Sequence, residues 1–99
     1  MLSANVAAAV SSIDPKGVTL RYVCGNRFRV RNSNASALSV TYDVLGTDSG
    51  LREIWLSKRQ TGAQYSERFF NAPTKGTVQM FYNGKKIRST VNTGIVCGT

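Results

Sequence analysis

From residue 18 onward, apolar and polar positions alternate with a period of two, and no long stretch carries a helical stripe. Val18-Thr-Leu-Arg-Tyr-Val-Cys24 sets Val18, Leu20, Tyr22 and Cys24 against Thr19, Arg21 and Val23. Gly25-Asn26 breaks that run. Arg27-Phe-Arg-Val-Arg31 then alternates without exception, with Phe28 and Val30 inward and Arg27, Arg29 and Arg31 outward. Residues 32–37 are turn formers and read as a polar loop. In the next strand Leu38, Val40, Tyr42 and Val44 share a face. Residues 46–50 punctuate the chain, and 52–56 form a short strand whose adjacent Ile54 and Trp55 leave its facing open, Ile54 inward with Trp55 on a rim or interface being one option. Residues 57–64 read as a loop, and 65–70 as a strand ending before Pro73.

The strongest local signal is Asn83-Gly84, the dipeptide that a two-residue type I′ hairpin prefers. It joins strands 77–82 and 85–91 and sets Tyr82 opposite Lys85, Phe81 opposite Lys86, Met80 opposite Ile87, Gln79 opposite Arg88 and Val78 opposite Ser89. After a turn at 92–94, Ile95-Val96-Cys97 reads as a short closing strand. Seven to eight short strands at this spacing predict an all-β antiparallel sandwich over residues 15–99, with no internal repeat. Residues 1–14 read as an N-terminal arm or linker, native or introduced, with partial disorder expected. The aromatics Tyr22, Phe28, Tyr42, Phe70 and Phe81 read as core and rim rather than as a ligand box.

The chain has 99 residues, a one-domain length at which a single covalent tie matters. Cys24 and Cys97 bracket nearly everything that reads as folded, so a disulfide between them is expected. Such a bridge stabilises by about 4 kcal/mol in the chain-entropy picture. It points to an oxidising setting, secreted or at the cell surface. The weakly apolar residues 2–10 are too few to span a bilayer and lack the basic lead of a secretory signal.

Charge narrows the partners. Thirteen Lys and Arg against five Asp and Glu leave +8, which favours an anionic polysaccharide, nucleic acid, lipid or acidic protein face without choosing among them. Histidine is absent, which removes the commonest general base, the usual triads and most transition-metal sites. Of the carboxylates, Asp43 and Glu67 lie on different strands, but alternation turns Asp43 outward, where it is expected to pair with an arginine. Asp14 and Asp48 do not make a calcium loop. No enzyme, metal or cofactor is expected.

The sharpest binding candidate is the Arg27, Arg29 and Arg31 row. Residues two apart on a strand stand about 6.5–7 Å apart on one face, a spacing that meets successive anionic groups on an extended polymer. The same row also reads as an ordinary solvated face that discourages edge pairing. Lys85, Lys86 and Arg88 form a second basic cluster at the hairpin tip. No stacking-aromatic signature, zinc spacing or basic helix accompanies either cluster, so nucleic acid has no motif behind it. Asn34-Ala35-Ser36 matches a glycosylation sequon in a surface loop.

The run Tyr22-Val-Cys-Gly-Asn-Arg-Phe-Arg-Val-Arg-Asn32, with Leu38-Ser-Val-Thr-Tyr-Asp-Val-Leu-Gly46, resembles small immunoglobulin-like modules of bacterial secreted and surface proteins. The stretch Gly76-Thr-Val-Gln-Met-Phe-Tyr-Asn-Gly84 and the terminal cysteine suit the same pattern, and the resemblance spans about residues 18–97. It implies a stalk, spacer or adhesion module with no catalytic residues. Trp55, in Arg52-Glu-Ile-Trp-Leu56, departs from it and marks an interface candidate. Three functions follow as expectations: a non-catalytic extracytoplasmic module for interaction, adhesion or assembly; an anionic-polymer binder; or a self-assembling subunit whose arm adds a strand to a neighbour.

Overall fold

The computed structural model describes residues 13–45, 51–72 and 76–98. Nearly all of the N-terminal arm, the punctuation at 46–50 and the break at Pro73 lie outside them. A short 3-10 turn, Pro15–Gly17, leads into seven strands: β1 Val18–Cys24, β2 Arg27–Asn32, β3 Leu38–Val44, β4 Arg52–Leu56, β5 Ser66–Asn71, β6 Gly76–Tyr82 and β7 Lys85–Asn92. They form two antiparallel sheets, β1-β2-β5 facing β4-β3-β6-β7, with the chain crossing between sheets after β2, β4 and β5. This is an immunoglobulin-like β-sandwich. Among the described residues no helix is long and apolar enough to cross a membrane.

Alternation sorts the core as expected. Val18, Phe28 and Val30 from one sheet meet Val40, Leu56, Val78 and Met80 from the other, all buried. Phe28 stacks on Phe70 at 5.2 Å, Tyr22 meets Phe28 edge-on, and Tyr42 reaches Phe70 across the sheets at 4.2 Å. Ile13, from the expected arm, packs against this core, and Asp14 accepts a hydrogen bond from the Lys16 amide to cap the 3-10 turn.

Two bulges reset the register. Gly25 and Asn26 both take positive φ, 58° and 66°, and turn β1 directly into β2. A two-residue turn continued regularly would set Tyr22 against Arg29, opposing an inward residue with an outward one. The ladder instead shifts between Cys24 and Tyr22, so that Tyr22 faces Phe28 and Leu20 faces Val30.

The β6–β7 hairpin has the expected turn, with Asn83 at φ 52° and Gly84 at φ 78°. It keeps Phe81 opposite Lys86, but the expected pairs beyond are corrected by a shift that sets Met80 against Arg88, Gln79 against Ser89 and Val78 against Thr90. The extra residue leaves Ile87 packed on the core, turns Asn92 inward and leaves Val91 half exposed. Polar satisfaction explains the preference. Asn92 Nδ2 donates to Ala72 O at 2.9 Å and to Asn26 Oδ1 at 3.0 Å, while its Oδ1 accepts from the Gly94 amide.

The closing strand expected at 95–97 is also corrected: this segment carries no strand. Gly25, the residue beside it, is a turn residue, so no extended neighbour continues a ladder. Ile95 O instead accepts from the Gly25 amide at 2.8 Å and from the Tyr22 hydroxyl at 2.6 Å. Cys24 and Cys97 are bonded, with Cα atoms 4.8 Å apart.

A buried asparagine ties the sheets at the opposite end. Asn32 Nδ2 donates to Ser57 O at 2.9 Å and Ser36 O at 3.2 Å, and its Oδ1 accepts from the amide and side chain of Asn34. The Ser66 hydroxyl donates to the same Ser57 carbonyl. Asn32→Leu should therefore cost about 3 kcal/mol, since several partners lose their bonds at once. Urea denaturation checks this; an unchanged midpoint would show that the site tolerates an apolar residue. Reducing the disulfide, which closes a loop of sequence separation 73, should lower the melting temperature by more than about 10 °C. Calorimetry with and without reductant measures the shift, and coincident transitions would remove the bridge from the account of stability.

Candidate functional site

Because Phe28 and Val30 fill the core, β2 presents Arg27, Arg29 and Arg31 on the outer face of the β1-β2-β5 sheet. The β1 bulge aligns Arg21 opposite Arg29 and Thr19 opposite Arg31. From the other side, β5 sets Glu67 beside Arg31, Phe69 beside Arg29 and Asn71 beside Arg27. Among the described residues four guanidiniums and one carboxylate share this face, leaving a net charge of +3.

Its internal contacts are uneven. Glu67 Oε2 accepts from Arg31 Nε at 2.9 Å and lies 3.7 Å from Arg29 Nε, so one carboxylate serves two cations. The Arg27 guanidinium covers the Phe69 ring at 4.0 Å, and Arg31 covers Tyr65 at 4.1 Å. Arg21 makes no ion pair among the described residues and faces a like charge directly, an arrangement that destabilises a sheet. Arg27 is exposed, while Arg29 and Arg31 are half-buried by their neighbours. Beside Tyr65 and Glu67 the surface opens into a hollow of about 550 Å³ that also exposes the carboxamides of Gln60 and Gln64.

The second basic cluster divides. Lys85 and Lys86 are exposed at the hairpin tip. Arg88 is spent within the fold: Nε donates to Val18 O at 2.7 Å, Nη2 to Lys16 O at 2.9 Å and Nη1 to Ile87 O at 3.1 Å, fastening β7 to the edge of β1. Trp55 lies on the outer face of the other sheet opposite Ser39, 55% exposed, and its carbonyl accepts from Arg68 Nη1 at 2.9 Å. The Asn34 side chain is bound at both ends, donating to Asp14 O and Asn32 Oδ1 and accepting from the Asp14 amide, so its nitrogen is not presented as a glycan acceptor.

Asp43 corrects an expectation. It lies on the outer side of β3 opposite Gln79, but no arginine pairs with it among the described residues. It is half-buried, and its Oδ1 is covered and has no hydrogen-bond partner among the described residues. The pairing failed because the outer row opposite it on β6 is Thr77, Gln79 and Phe81, which carries no cation. Among the described residues no group of three or more His, Cys, Asp or Glu side chains could hold a metal ion.

Compared with protein-family models, curated proteins and solved structures, the chain matches none. Arg21, Tyr65 and Phe69 belong to the candidate site without having been singled out from the sequence, and Glu67 was singled out there only as a carboxylate to set beside Asp43. Alternation already placed Arg21 outward; its alignment with Arg29 required the bulge. Glu67 and Phe69 required the pairing of β2 with β5, strands separated by two others in the chain.

Arg88→Gln should cost about 2 kcal/mol in urea denaturation, because three carbonyls lose a charged donor. A neutral result would return Arg88 to the pool of cations free to bind.

Proposed function

We propose that this protein is a non-catalytic, extracytoplasmic β-sandwich module that binds an acidic glycan through the outer face of β1-β2-β5. The observation that carries this reading is the Arg21–Arg29 juxtaposition within a face holding four arginines and a single carboxylate. Like charges set opposite each other cost stability, and among the described residues the one carboxylate near them, Glu67, is shared between Arg29 and Arg31 and does not pair with Arg21. An anionic partner recovers that cost.

The stacked contacts favour glycan over nucleic acid. Sequence-independent binding of single strands uses bare aromatic rings on which bases stack. Here the Arg27 and Arg31 guanidiniums occupy one face of the part-exposed Phe69 and Tyr65 rings and present their edges. Those edges suit sulfate and uronate groups, and the neighbouring Gln60 and Gln64 carboxamides suit sugar hydroxyls. The disulfide supports an extracytoplasmic setting. The lack of any histidine supports a non-catalytic role.

The test is salt-dependent retention on heparin, beside a thymidine oligonucleotide of matched length. Wild type should stay on heparin at physiological salt and bind the oligonucleotide more weakly. Arg21→Gln, Arg27→Gln and Arg29→Gln combined should abolish retention while changing stability by no more than about 0.5 kcal/mol per site. Equal retention of the variant would reduce the face to a solvated surface, and tighter binding to the oligonucleotide would reverse the choice of polymer.

A further inference from the structure

A groove of about 680 Å³ opens at the tip of the β6–β7 hairpin, against the 3-10 turn that precedes β1. Pro15, Tyr82 and Ile87 give it an apolar lining, and Lys16, Lys85 and Lys86 stand around it. All three lysines are exposed, and among the described residues no carboxylate lines the groove. The β7 bulge builds one wall, because the extra residue keeps Ile87 toward the core while Arg88 turns to β1. Arg88 then fixes the spacing of the walls by bonding to Lys16 O and Val18 O on one side and Ile87 O on the other.

We infer that this groove binds a small organic acid, a single phosphate or carboxylate head on an apolar body. Its volume falls within the range of small-molecule sites. Three ammonium groups on flexible stems converge on a compact oxyanion more readily than a rigid row of guanidiniums does. Three positive charges around one groove repel one another, and a bound anion offsets that repulsion. The apolar lining accounts for the second half of the ligand, since an anion alone would leave Tyr82 and Ile87 in contact with water. The site uses none of the residues of the arginine face, so either can fail without the other.

The test is an amide chemical-shift titration of the whole chain with octyl phosphate below its micelle-forming concentration. Inorganic phosphate and 1-octanol serve as separate arms. Octyl phosphate should give saturable shifts at Lys16, Tyr82, Lys86 and Ile87, and each half alone should bind about tenfold or more weakly. Lys16→Gln with Lys86→Gln should weaken octyl phosphate about tenfold or more and leave the melting temperature unchanged, because both side chains are exposed. The Arg21, Arg27 and Arg29 variant should bind octyl phosphate as wild type does. Shifts centred on the arginine face, equal affinity for either half, or a lysine variant that binds as well as wild type would each overturn the assignment.

Discussion

A β-strand offers alternate side chains to opposite faces, so in a two-sheet domain a slip of one residue turns a whole strand inside out. Here that constraint meets two tight turns. Gly25-Asn26 and Asn83-Gly84 each fix how the flanking strands start to pair, and the core fixes how they must end. In the first hairpin the two demands conflict, and the bulge at Val23 absorbs the difference. Tyr22 and Leu20 thereby stay with Phe28 and Val30, and Arg21 is carried into line with Arg29. The charged face is thus a consequence of how the core was closed, one residue layer away.

The second bulge shows a different balance. A regular ladder would have placed Ser89 and Val91 on the side of Ile87, with Arg88 and Asn92 outside. The observed register instead places Val91 in solvent, half exposed, and buries Asn92. Burying an asparagine in place of a valine is unfavourable unless every polar atom is satisfied. Asn92 meets that condition through Ala72, Asn26 and Gly94, and Arg88 binds three carbonyls in the same register. Together with Asn32 and Ser66 on the Ser57 carbonyl, these bonds fasten the sheets where the apolar core is thinnest, at its ends and edges. Polar staples of this kind specify one arrangement, because any slip leaves a buried group unpaired.

Strand positions were legible because alternation is a local property; β1, β3 and β4 fall where the pattern of Val18 to Cys24, Leu38 to Val44 and Arg52 to Leu56 puts them. The disulfide was legible because only two cysteines exist to pair. What could not be read were features that depend on which strands become neighbours. Glu67 meets Arg31 only because β5 docks on β2, and Arg88 meets Val18 only because the edges of β7 and β1 close against each other. Asp43 shows the reverse, since its outward position was legible while the absence of a cation opposite it was not.

The two basic surfaces differ in how their cations are held, and that difference underlies the two ligands proposed for them. On the sheet face, Arg27 and Arg31 sit over rings and Glu67 faces Arg29 and Arg31, so these three side chains have less freedom to lose on binding. Fixed charges at strand spacing match a ligand whose own charges recur at intervals, and a single compact ion would engage only part of the row. At the hairpin tip the lysines keep their rotamer freedom, which costs more to quench but lets several charges gather on one point. The apolar lining there offsets that entropy for a ligand with a hydrocarbon body and offers nothing to a bare polymer of charges. That difference in how the cations are held is why the two proposals name different ligand classes, although both surfaces are positive.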